Sequence, residues 1–237
     1  MTLDLRALDL PDGERAVHAV RIGDGAPVGE VSSLLALEGD DGVRVTVDAD
    51  LGAVAVTVDQ LFRAVPDGLT AQSYLAETWN DDRLVTREEG HFPGGHHLDL
   101  GGSGGLTGAL PAGLTPIVGV MTTWRGLPFR TGLTGQVPVW LAFAVSWPVD
   151  LRVERREAVT VPAGRVQAWR VVLRPSLSAL GPLAAVLEQA VGSLVPDVVL
   201  HFAADDPHPL VRAEAPTGPF PWSPKVVLEL TAIELTV

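Results

Sequence analysis

The residues with the greatest chemical potential lie between His91 and Gly105. Gly101-Gly102-Ser103-Gly104-Gly105 matches G-x-S-x-G, in which glycines permit a strained strand–turn–helix that lifts a serine hydroxyl toward a histidine. Ser103 would then be the nucleophile of a hydrolase. The pattern needs a helix after it, and Leu106-Thr107-Gly108-Ala109-Leu110-Pro111 makes a poor one. A plain glycine loop meets the same pattern by composition alone. The segment also lacks the Gly-Lys-Ser/Thr of a phosphate-binding loop.

His91, His96, His97 and Asp99 form the densest histidine cluster, a set that could ligate zinc or a similar ion. On a strand, His97 and Asp99 share a face while His96 points away. Two ligands on one face fall short of the three or four converging groups that a metal needs. His201, Asp205, Asp206 and His208 offer a second cluster, but Asp205-Asp206-Pro207 is a turn signature. Acid pairs such as Asp40-Asp41, Asp81-Asp82 and Glu88-Glu89 fall where turns or strand ends are expected. They read as solvated tips rather than as carboxylates in split environments facing one cleft. The residues give no specific catalytic set and no cofactor or metal.

Tryptophans stand at 79, 124, 140, 147, 169 and 222. In a curled sheet such rings can line a pocket for an apolar ligand. Trp124, Arg125, Trp140 and Trp169, with Leu183 and Leu187, are the candidate ligand-binding residues.

The elements that must position these residues are mostly strands. Residues 150–174 carry two period-2 runs around Pro162-Ala163-Gly164-Arg165, the pattern of a β-hairpin. Similar pairs are expected at 14–22 with 28–38, at 43–48 with 53–58, and at 72–79 with 83–89. Further strands are expected at 96–100, 137–146, 198–203 and 225–237. The glycines of 101–114 predict a loop. A short helix is expected over 116–124, with Thr115 as N-cap, Pro116 in the first turn, and Ile117, Val120, Met121 and Trp124 on one stripe. A second helix is expected over 182–195, almost apolar on every side. The fold class is mainly β: one curled antiparallel sheet of about ten strands, a half-barrel or open barrel. The two short helices would lie on its concave side, in a single domain spanning 1–237.

Composition narrows the partners. Asp and Glu number 29 against 17 Lys and Arg, a net charge of −12, which repels nucleic acid and anionic headgroups. Cysteine is absent, so thiol catalysis, Cys-ligated zinc and disulfides are excluded. No run of about 18 apolar residues offers a transmembrane helix. Residues 1–11 lack a cationic start followed by a continuous apolar run, so no signal peptide is read there, and a cytoplasmic protein is expected.

An ordered set of features in residues 115–237 resembles an uncharacterised bacterial family, domain of unknown function 3108. The features are Thr122-Thr123-Trp124-Arg125 followed by Leu127-Pro128, and a strand pair joined by Val161-Pro162-Ala163-Gly164 with Trp169 and Arg170 on its return. Ala204-Asp205-Asp206-Pro207 and Val227-Leu228-Glu229-Leu230 follow. The resemblance implies a long antiparallel sheet curled around a helix, similar in outline to the half-barrels of lipoprotein carriers. This chain departs from the family in the apolar segment 177–195 and in its N-terminus. The family brings no catalytic residues.

Three functions are open at this point. The first is a non-enzymatic binding module for an apolar or lipid-like small molecule. The second is an enzyme, either a hydrolase using Ser103 or a metal site at His97 and Asp99. The third is a protein–protein contact or homodimer through the apolar segment 177–195.

Overall fold

The computed structural model describes residues 5–6, 8–100, 104–110, 114–142, 145–176, 196–218 and 222–236. Among these residues fifteen strands make one sheet. The first eight are β1 Glu14–Ile22, β2 Pro27–Glu38, β3 Gly42–Asp50, β4 Val54–Val65, β5 Gly68–Asn80, β6 Arg83–His91, β7 Gly94–Asp99 and β8 Gly105–Leu110. Then come β9 Thr115–Pro116, helix α1 Val120–Thr123 and a 3₁₀ turn Trp124–Gly126. The remainder are β10 Thr134–Ala142, β11 Val145–Val161, β12 Gly164–Pro175, β13 Val198–Ala203, β14 Leu210–Pro216 and β15 Lys225–Leu235.

The order across the sheet is β8-β7-β6-β5-β4-β3-β2-β1-β15-β14-β13-β12-β11-β10-β9. The chain thus meanders outward from β1 to one end, crosses to the other end, and meanders back to seat β15 against β1. Among the described residues every pairing is antiparallel except β9 with β10. The strand count exceeds the expected ten, and β8, β9 and β14 form where no strand was expected. β10 and β11 divide the expected strand 137–146 between them.

The hairpins follow from local chemistry. Pro162 and Ala163 link β11 to β12, and Gly164 closes the turn at φ +122°, a region that an L side chain rarely adopts. Asp81 takes φ +52° between β5 and β6, which Asp tolerates through its short polar side chain.

Two expectations are corrected. The glycine stretch is not all loop, because Gly105–Leu110 forms β8, paired along its length with β7. Thr115 and Pro116 do not start a helix. They form β9 in parallel register with Val139 and Trp140, and the helix begins after Gly119 and lasts one turn. A proline suits an edge strand, where its missing N–H would face away from the ladder. The expected helix 182–195 lies outside the described residues. Among the described residues no helix is long and apolar enough to cross a membrane.

The core follows the curl of the sheet. One apolar cluster surrounds Trp124 with Leu127, Val139, Val153, Val171 and Phe202. A second joins Phe62, Tyr74, Phe92 and Trp140, and a third lies around Val159, Ala168 and Val211. Trp140 of β10 packs on Tyr74 of β5 and on His96 of β7, so the two ends of the open sheet come together through side chains.

Candidate binding site

The interior carries polar groups in register. His96, Gly90, Tyr74, Gln60, Val45, Leu35 and Glu14 are successive cross-strand neighbours from β7 to β1. All are buried. Residues directly opposite one another share a face, so this row looks into the core. Burial, together with nearby Glu88, pushes the Tyr74 hydroxyl well above its ordinary range. Gln60 is fully enclosed, and its amide finds no protein partner among the described residues.

At one end of this row the carboxylate of Glu14 is clasped by Arg125. Nη1 and Nη2 donate to its two oxygens at 2.7 and 3.0 Å, and Nε donates to Pro207 O at 2.7 Å. Both side chains are buried. A cavity of about 30 Å³, room for a single water, lies beside the pair among Ala16, His18, Ser33 and Thr122. His18 Nε2 lies 3.0 Å from Leu210 O, and burial holds its pKa below the ordinary imidazole value. On the outer side of Arg125 a cleft of about 480 Å³ opens among Arg6, Leu8, Asp9, Leu127, Asp206 and His208.

A larger cleft, about 530 Å³, lies along β10, β11 and β12. Its floor is built by register. Gln136 opposes Asp150, Asp150 opposes Arg174, and Arg152 opposes Val172. These side chains share the face opposite the one that carries Leu151, Val153 and Val171 into the core. Gln136 Nε2 donates to Asp150 Oδ1 at 2.8 Å and to Ser176 Oγ at 3.0 Å. Arg174 Nε donates to Asp197 Oδ1 at 2.8 Å at the rim. Trp147 Nε1 donates to Ser176 O at 2.9 Å. Val172 and its cross-strand neighbour Val199 are buried on this face.

The structure scatters the residues singled out in the sequence. Trp124 and Trp140, each 1% exposed, fill different apolar clusters. Trp169 is half-buried and stacks on Phe129 at 6.1 Å. Arg125 joins the buried pair and lines the smaller cleft. Leu183, Leu187 and Ser103 lie outside the described residues, as does the body of segment 177–195.

His97 and Asp99 share the outer face of β7, opposite Glu89 and Arg87, while His96 points inward and is buried, as the alternation predicts. Among the described residues no three His, Asp or Glu side chains converge as metal ligands. Glu88 is a correction: it is not a solvated tip but a buried residue on the inner face of β6.

The cleft residues Gln136, Asp150, Arg152, Arg174 and Asp197 were not visible as a group in the sequence. Alternation marks Asp150, Arg152 and Arg174 as outward-facing. Only the pairing register places them side by side.

No family model matches the chain, and no curated protein does. Two solved structures match it over nearly its whole length. One is a protein from Bacteroides fragilis described as exported and of YmcC-like fold, at 10% identity and a TM-score of 0.37, covering 96% of this chain and 99% of that one. The other, from Parabacteroides distasonis, is described as a lipoprotein, at 9% identity and a TM-score of 0.30, covering 97% and 99%. The expectation of a cytoplasmic protein is not supported by these descriptions, which are of an exported protein and a lipoprotein.

Proposed function

We propose that the protein is a non-enzymatic binding module for a lipid-like small molecule, held in the cleft along β10–β12. The observation that carries this reading is the make-up of that cleft. It has a volume of about 530 Å³, within the range that small ligands occupy. Buried Val172 supplies apolar floor, and Gln136, Arg152 and Arg174 supply polar groups for a head. Ser176 bonds the cleft residue Gln136, and Asp197 lines the cleft. The sequence 177–195 is mostly apolar, with Ser178, Glu188, Gln189 and Ser193 as its polar residues, a composition that favours an apolar partner.

Native mass spectrometry and solvent extraction of freshly purified protein test it, together with titration of a dansylated fatty acid. The expected result is a co-purifying amphiphile or saturable probe binding, lost on Val172→Glu. Ligand-free protein that binds no probe would overturn the proposal, as would binding unaffected by Val172→Glu.

A further inference from the structure

We propose that the outer edge of β8 is a self-association surface, on which a second copy of the chain adds its own β8 antiparallel about a two-fold axis. β8 is the last strand at one end of the sheet, and among the described residues only β7 pairs with it. Leu100 N–H donates to Gly104 O at 3.1 Å, in register with the pairs Leu98–Leu106 and His96–Gly108. Bonded and non-bonded pairs alternate along an antiparallel ladder. Gly104, Leu106, Gly108 and Leu110 therefore turn their N–H and C=O groups toward β7. Gly105, Thr107 and Ala109 turn theirs to the open side, and all three are exposed.

A row of outward donors and acceptors is completed best by the backbone of another extended strand. Proteins commonly blunt such edges with charge, proline or a covering element. The other end of this sheet is blunted: β9 covers β10 at Val139 and Trp140, and Pro138 removes a donor beside them. β8, Gly-Leu-Thr-Gly-Ala-Leu, carries neither charge nor proline.

The register of β8 suits a second copy of itself. Opposed residues in an antiparallel pair share a face. With the axis at Gly108, Thr107 faces the partner's Ala109, and these outward-bonding residues exchange both of their hydrogen bonds on each side of the axis. Leu106 faces the partner's Leu110, and Gly108 faces the partner's Gly108 in the non-bonded position where strands approach most closely. Leu106, which is 52% exposed, gains an apolar neighbour. No like charges meet along the strand. Elsewhere each copy carries a net charge of −12, so repulsion weakens association in dilute salt and screening strengthens it. So short an edge belongs to the weak, reversible class of interfaces.

The test is sedimentation equilibrium of the full chain from about 1 to about 300 μM, in about 50 and about 500 mM salt. The mass should rise from 25.0 kDa toward twice that value with concentration, and further at high salt. Thr107→Pro and Ala109→Pro remove only an outward N–H and should weaken association by about tenfold or more with the thermal midpoint preserved. Thr107→Val should keep it. In the unsubstituted chain, exchange of the Thr107 and Ala109 amides should slow as concentration rises, a readout that needs no variant to fold. A monomer throughout, association that both prolines leave unchanged, or amide exchange independent of concentration would each overturn the proposal.

Discussion

The Trp140 indole meets the Tyr74 ring edge-on, with centroids 4.7 Å apart and planes at 81°. β10 and β5 stand near opposite ends of the sheet, so this contact is where the curl comes together. Phe92 and His96 complete the aromatic group at 5.7 and 6.0 Å from Trp140. Edge-to-face pairs of this kind add to the stabilisation from area burial alone.

Trp140→Ala should therefore lower unfolding free energy by about 3–5 kcal/mol, measured by urea denaturation, and Trp140→Phe by clearly less. A loss under about 1 kcal/mol for the alanine variant would mean that the ends are held together elsewhere.

The buried Arg125–Glu14 pair gives a second prediction. Arg125→Met leaves the Glu14 carboxylate enclosed without its partner, so stability should fall by about 3–5 kcal/mol. Adding Glu14→Gln should recover a large part of the loss, since no charge then stays buried alone. A double-mutant cycle measures the coupling, and strict additivity would contradict a direct interaction.

Stability should also depend on pH through two histidines. Burial depresses His18, opposed by its contact with Leu210 O. Burial likewise depresses His201, with Arg170 and Arg212 adding to the effect and Glu157 opposing it. A histidine whose folded pKa lies below its unfolded value contributes stability above the unfolded pKa and loses it as pH falls toward the folded one. The urea midpoint should therefore decline as pH drops below the ordinary value of 6.5. His18→Gln should flatten that decline, and a slope unchanged in both His18→Gln and His201→Gln would rule these groups out as its source.

The cleft separates binding from stability. Arg174 and Asp197 form a partly exposed ion pair, of a kind that contributes about 0–1 kcal/mol. Arg174→Ala should leave the unfolding midpoint nearly unchanged while weakening dansyl fatty-acid binding several-fold. Unaltered affinity would remove Arg174 from the proposed site.

Local pattern alone settled most of the strands. Alternation in residues such as Val43, Val45 and Val47 marks one dry face, and Asn80-Asp81-Asp82 and Pro162-Ala163-Gly164 mark reversals, because these preferences act within a few residues. β8 escaped because glycines carry no side-chain alternation and weak strand preference, so its state was set by pairing with β7. Thr115-Pro116 carried a helix-start signal, yet the open edge of β10 captured it as a strand.

The association of Glu14 with Arg125, of Tyr74 with Trp140, and of Gln136 with Asp150 and Arg174 belongs to tertiary structure. Each depends on cross-strand register, on the curl of the sheet, or on both. A one-residue change in register would send each of the strand side chains among them to the opposite face. The chain order of these residues holds no trace of that choice, whereas the alternation that turns Asp150 and Arg174 to the face opposite Leu151 and Val153 is local and legible in the sequence.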